Sequence, residues 1–201
     1  TKTGRQNKNG EKYMAQSSQI EILEDQIREC YGRVVWTHKT HEKCADILNS
    51  RNSNIKLWQI ILSAITTSGV FITVLGESEE AGVIAAIMSI FTLALSTYVK
   101  KYDLGSMAQK HAAAAISIWD VREKYFSLLT DIRAGLMAEE DIRKLRYGHH
   151  RDLHKLYKGS PRTITKAYEE ASKGLKKMEE LTFSDDEIDA FLPKSLRKSE
   201  R

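Results

Sequence analysis

Cysteine and proline are nearly absent from this chain, two of each in 201 residues, and neither sits in a pattern that makes it chemically active. Cys30 and Cys44 fall in one predicted helix, 14 positions apart. That is about 21 Å along the axis, far beyond the reach of a disulfide, so reduced thiols in a cytoplasmic setting are expected. Catalytic signatures are missing too: the chain has no Gly-rich phosphate loop, nucleophile elbow, HExxH motif or paired-cysteine zinc knuckle. The expectation is a protein that is not an enzyme and carries no cofactor. Strand-period segments and internal repeats are also absent, which leaves an all-α fold. Charge of one sign is scarce, 31 Lys and Arg against 27 Asp and Glu for a net +4, so overall composition says little about partners.

What the chain does contain is two uncharged apolar stretches, 57–76 and 81–99, set back to back around the acidic connector Glu77-Ser78-Glu79-Glu80. Each has about 20 residues, which at 1.5 Å per residue matches the roughly 30 Å of a bilayer's hydrocarbon core. A helix apolar all round also fits the centre of a soluble bundle. The flanks favour the membrane: Lys56 precedes the first stretch, Lys100 and Lys101 follow the second, and Trp58, Tyr98 and Tyr102 stand beside them. A connector of carboxylates alone places both chain ends in the cytoplasm by the positive-inside rule. The first sixteen residues, polar and without an apolar run, predict a disordered tail and no cleavable signal peptide, so insertion rests on the hairpin.

Outside the hairpin the pattern is helical. Ser18 followed by Glu21 reads as a capping box, and Ile20, Leu23, Ile27, Cys30, Val34, Thr37, His41, Cys44 and Leu48 then recur at heptad spacing. This predicts a helix over 17–49, ended by the polar run Ser50-Arg51-Asn52-Ser53-Asn54. After the second span the pattern runs on through Leu104, Ala108, His111, Ala115, Ile118, Arg122, Tyr125, Leu129 and Ile132 to a stop at Gly135, with Gly105 as a point of flexure. That helix, 100–133, can return antiparallel against the first. A helical region 134–201 follows: a basic helix over 138–157, one opened by Ser160-Pro161 and reaching about Leu181, and a short one capped by Ser184 and Glu187 before Pro193.

Three groups of residues could carry function. On the first span Gln59, Ser63, Thr66 and Thr73 share a face, and on the second Ala85, Ser89, Thr92 and Ser96 do the same. A hydroxyl-lined face suits either a water-filled pore or close helix packing. Two spans enclose nothing alone, so a pore requires several subunits, and the heptad helix offers a means of assembly. In such a ring, a tetramer or larger, Glu77, Glu79 and Glu80 would circle the outer mouth and favour cations; otherwise they form an ordinary solvated loop. The third group is Arg143, Lys144, Arg146, Arg151, Lys155, Lys158, Arg162 and Lys166, with Asp152 as the one counter-charge between Ile142 and Lys166. That density suits phosphates of a nucleotide, an oligonucleotide or lipid headgroups, with a solvated face as the bland reading; Tyr147 and Tyr157 would stack on bases or pack as core. His150 with His154, and His38 with His41 and Cys44, share helix faces, but neither set reaches four ligands and no metal is expected.

The segments Tyr31-Gly32-Arg33, His41-Glu42-Lys43, Lys101-Tyr102-Asp103-Leu104 and Ala108-Gln109-Lys110-His111, then Ile118-Trp119-Asp120, arranged around a two-span hairpin, resemble the SLATT domain over about 20–132. The resemblance implies a two-span effector of bacterial conflict systems in the inner membrane, encoded beside a nucleotidyltransferase. It implies a homo-oligomeric pore, gated by a nucleotide or oligonucleotide messenger, whose opening depolarises the infected cell. The chain is also similar to effectors of the Hailong anti-phage systems, which implies an oligonucleotide that holds the pore closed, with the basic stretch after Ile142 as its place of binding. The alternative on residues alone is a membrane-tethered scaffold that recruits a protein partner and conducts nothing.

Overall fold

The computed structural model describes residues 3–76, 79–194 and 197–198, with side chains from residue 18 onward. Its first helix, α1, runs from Thr3 to Gly76 without interruption, 74 residues or about 110 Å. α2 spans Glu79–Tyr102, α3 Leu104–Arg133, α4 Glu139–Gly159, α5 Thr165–Lys177 and α6 Asp185–Phe191. Among the described residues there is no strand, as the all-α expectation required.

Two predicted breaks are absent from α1. Backbone 3–16 is helical where a tail was expected, so Ser18 and Glu21 lie inside a helix and not at its start. The run 50–54 is helical as well. No Pro or Gly occurs between Gly32 and Gly69, and Ser or Asn costs only a few tenths of a kcal/mol once turns on both sides are formed. Asn52 is moreover buried, its amide set against Gly105 of α3.

The break after the second span falls at Asp103, two residues before the expected flexure. Asp103 takes left-handed backbone (φ 39°, ψ 58°), which Asp tolerates better than most residues, and its carboxylate accepts from the Ser106 amide at 3.1 Å as the N-cap of α3. Gly105 sits inside α3, and its role is space: a Cβ there would stand 3.2 Å from Asn52 Nδ2. At the other end Gly135 (φ 68°) closes α3 as predicted. Its amide donates to Ile132 and the Leu136 amide to Asp131, the paired bonds of a Schellman motif.

The helix foreseen from Ser160-Pro161 to Leu181 is shorter at both ends. The residue before a proline is pushed to extended backbone, so Ser160 (φ −85°, ψ 145°) ends α4, its hydroxyl donating to the Leu156 carbonyl at 2.8 Å. α5 begins five residues later, at Thr165. The capping box of α6 forms as read, with the Ser184 hydroxyl on the Glu187 amide and the Glu187 carboxylate on the Ser184 amide.

α3 returns along the lower half of α1, and α4 covers the pair. The core between them holds Leu23, Ile27, Val34, Ile118, Val121, Tyr125, Leu128, Ile132, Ile142 and Leu153. Each such side chain contributes about 1.5–3 kcal/mol by leaving water. α5 lies on α1 through the small residues Ala167, Ala171 and Gly174, all buried, with Trp36 held between Tyr168 (ring centroids 5.3 Å apart) and the Lys176 ammonium (5.3 Å from its ring).

Above the bundle the hairpin stands bare. The most apolar 18-residue windows of its two helices are 0% and 6% buried. Phe71, Val74, Ile90 and Leu93 are each more than 60% exposed. A core helix of a soluble bundle would hide such residues, so the protein's own structure argues for lipid around them.

Candidate functional site

The hairpin interior is built from small and hydroxylated residues. A Cβ on Gly69 would lie 3.0 Å from Ala85 Cβ and 3.1 Å from the Ala81 carbonyl, and one on Gly82 would lie 3.2 Å from the Thr73 side chain, so these two helices meet nearly backbone to backbone. Gln59 Nε2 donates to Ser96 Oγ at 3.1 Å across the pair. Thr66, Thr73, Thr92 and Ser96 donate to the carbonyl one turn back, at 2.8–2.9 Å, which satisfies their hydroxyls without water.

The face predicted as pore-lining therefore divides in two. Gln59, Thr66, Thr73 and Thr92, with Leu62, Met88 and Leu95, are half-buried between the spans, whereas Ser63, Ser89 and Ser96 lie exposed. Each of these three serines follows a packing residue by one step, roughly 100° around its helix. Because the helices are antiparallel, that same-handed flank falls on one side of the hairpin for both spans. Thr67, one step after Thr66, joins it. The opposite flank carries Trp58, Ile61, Ile65 and Ile72 from α1 with Ile84, Ile87, Phe91 and Tyr98 from α2. One flank of the hairpin thus mixes these hydroxyls with Ile60, Val70, Val74 and Leu93, each also one step after a packing residue, whereas the other is aliphatic and aromatic almost throughout.

At its tip, Glu79 and Glu80 are exposed in the first turn of α2, where carboxylates complement the helix dipole; Glu77 lies outside the described residues. Lys100 and Lys101 occupy the last turn of the same helix, next to the bundle.

The basic stretch is also sorted by the structure. Arg143 forks onto Glu139 (2.7 and 2.8 Å), and Arg146 turns inward to Gln26 of α1. Arg162 lines a hollow of about 440 Å³ with Thr37, His41, Tyr157 and Ser160, and Lys166 is exposed in the first turn of α5. Lys144, Arg151, Lys155 and Lys158 share one outward face of α4, and among the described residues none of the four is in an ion pair. Tyr147 is exposed on its edge; Tyr157, exposed as well, donates to Thr37 Oγ1 at 3.2 Å.

A buried histidine pair joins α1 to α3. His41 of α1 and His111 of α3, 3% and 1% exposed, place their Nδ1 atoms 3.0 Å apart, so one ring donates and the other accepts. Burial pushes both below the usual histidine range, His41 to about 4 with help from the neighbouring His111 and His38. The signal was available, since each histidine stands at a seam position of its own helix. Cys44 does not join them: its thiol is near the Ile164 backbone and burial raises its pKa. His150 and His154 are exposed, and among the described residues no three His, Cys, Asp or Glu side chains are placed to hold a metal.

A family model described as SMODS and SLOG-associating 2TM effector domain family 4 matches residues 23–187. That range takes in both spans, α3, α4 and α5, and so extends beyond the 20–132 over which the sequence motifs resemble the family. Neither the curated proteins nor the solved structures contain a match to the chain. With two bare apolar helices long enough to cross a membrane above one helical bundle, and a match over most of its length, the chain belongs to the SMODS and SLOG-associating 2TM effector domain family, the two-span effectors of anti-phage conflict systems.

Proposed function

We propose that the protein is a pore-forming effector of bacterial anti-phage defence, an oligomeric ion channel of the inner membrane that opens to depolarise the cell. The observation that carries this reading is the two-sided hairpin. Ser63, Thr67 and Ser89 place hydroxyls among Ile60, Val70, Val74 and Leu93 on one flank and suit a water-filled path, and the opposite flank, almost wholly aliphatic and aromatic, suits lipid. A lone hairpin has no use for that division; a ring of hairpins does. Basic residues at the bundle end and Glu79 and Glu80 at the tip support a cytoplasmic bundle, with both chain ends there.

The bundle is then the sensor. Lys144, Arg151, Lys155 and Lys158 extend over 14 residues of α4, roughly 21 Å, a span suited to several phosphates of a nucleotide or oligonucleotide messenger from a partner nucleotidyltransferase. α1 runs through bundle and span as one uninterrupted helix, which offers a direct path for displacement from one end to the other. The hinge at Asp103 leaves the second span free to follow at its own angle.

Ion flux from liposomes holding the purified protein tests this. Ser63→Leu combined with Ser89→Leu is expected to cut flux at least tenfold with insertion and oligomer size unchanged. Undiminished flux would remove the hydroxyl-bearing flank from the pathway, and no flux from the unaltered protein with or without nucleotides would leave the tethered scaffold.

A further inference from the structure

Beyond α5 the chain folds back on itself. Glu179 and Leu181 both take left-handed backbone, φ 51° and 76°, and between them the Glu180 amide donates to the Gly174 carbonyl at 3.1 Å. Neither residue is glycine, so the conformation is strained and needs something to hold it. The hold is the Glu180 carboxylate. Its two oxygens lie 2.5 Å from Lys39 Nζ and 3.2 Å from Lys43 Nζ, and it rests over Gly174, where a Cβ would approach it to 3.0 Å.

Lys39 is not a surface lysine. Its side chain is 12% exposed, and it also meets Glu42 at 3.0 Å. Beside it an open groove of about 600 Å³ runs between α1 and α3, lined by Lys39, His38 and Arg122, by the carboxylates of Glu42 and Asp46 and, from the strap itself, by Leu181. His38 is 5% exposed and its Nδ1 has no hydrogen-bond partner. Arg122, its side chain 15% exposed, is turned aside onto Glu123. The groove has the volume of a small-ligand site, and Lys39 in its wall, together with Lys43, already grips an anion.

We propose that Lys39 and Lys43, with the groove beside them, form a binding site for a phosphate-bearing ligand in which Glu180 is the resident occupant, so that the ligand displaces Glu180 and frees residues 178–184 from α1. A phosphate offers more acceptor oxygens than the carboxylate it replaces, and Arg122 in the groove wall supplies N–H donors for them on turning from Glu123. The strain at Glu179 and Leu181 favours release once the carboxylate loses its lysines. This site is separate from the outward face of α4 and does not depend on conduction.

The test is binding of inorganic tripolyphosphate to the full chain in detergent, with hydrogen exchange read over 178–184. Saturating tripolyphosphate is expected to speed that exchange at least tenfold. Glu180→Gln should tighten binding about tenfold and leave the segment exchanging fast without ligand, Glu180→Asp should fall between, and Lys39→Met with Lys43→Met should abolish binding. Nanodiscs with and without phosphatidylglycerol distinguish the source: release by tripolyphosphate alone assigns the site to a soluble phosphate, release by the anionic lipid to a headgroup. If Glu180→Gln changes neither affinity nor exchange, or if tripolyphosphate and anionic lipid both leave 178–184 protected, the proposal is overturned.

Discussion

α1 passes through two surroundings, and its two halves are organised inside out relative to one another. Below, its large side chains Ile27 and Val34 are fully buried against Ile118, Val121 and Tyr125. Above, large side chains such as Phe71 and Val74 point away, and contact with α2 runs through Gly69, Gly82 and Ala85. The difference follows from the solvent. In water, association is driven by burying apolar area; in lipid that drive vanishes between helices, and close van der Waals approach with interhelical hydrogen bonds takes over. The bundle should accordingly be sensitive to truncation and the hairpin to enlargement.

The largest effect tests the truncation half of that contrast. Tyr125 is 0% exposed, the largest fully buried side chain among the described residues, packed edge-on to His149 with ring centroids 5.3 Å apart. Tyr125→Ala is expected to cost about 3–5 kcal/mol in denaturant unfolding of the detergent-solubilised protein. Phe71→Ala, which removes a ring of similar size from the lipid side, should cost under about 1 kcal/mol. Comparable losses would break the comparison.

The same contrast explains what the sequence disclosed. Element type, the hairpin, the Gly135 stop and the Ser184 cap were legible because each rests on local spacing. The continuity of α1 was not, because the serines and asparagines among residues 50–54 are poor helix formers whose cost is met by the formed turns on both sides and by the seating of Asn52 on Gly105. Nor was the division of the hydroxyl face: Thr66 and Ser63 lie within one helix-face window, and only the position of α2 decides which of them is covered. Long-range pairs such as His41 with His111, or Glu180 with Lys39, join positions 70 and 141 residues apart, as 111 − 41 and 180 − 39 give. No periodicity reaches that far.

A second, smaller effect belongs to the bundle alone. His41 is held near 4, below its usual value of 6.5, by burial and by His111. The unfolded chain therefore takes up the proton first. The stability that His41 contributes as a neutral ring is intact above about pH 6.5 and is lost as pH falls toward 4, by about 3 kcal/mol at most. Unfolding midpoints should drop steeply across that window and level off below it, and His41→Gln should flatten the slope. A hairpin without buried titratable groups gives no such profile, so a slope that survives His41→Gln and His111→Gln would place the sensitive groups elsewhere.

The smallest effect tests enlargement. Gly69→Val adds two methyl groups and a Cβ where 3.0 Å separates it from Ala85 Cβ and 3.1 Å from the Ala81 carbonyl, and backbone cannot yield as a flexible side chain would. The cost is expected at about 1–3 kcal/mol, expressed as a parting of the spans and not as unfolding of the bundle. Cysteines placed at 59 and 96, whose present side chains meet at 3.1 Å, report the parting directly. In a background lacking Cys30 and Cys44, Gln59→Cys and Ser96→Cys should be joined by a short bifunctional thiol-reactive linker that spans the length of the lost glutamine side chain, and Gly69→Val should slow that reaction several-fold. Gly32→Val is the matched control in the bundle half of the same helix. A Cβ at Gly32 meets nothing within 4 Å, so its cost reduces to helix propensity and leaves the cross-link rate unchanged. If the two substitutions slow cross-linking alike, the close approach at Gly69 is not what holds the spans together.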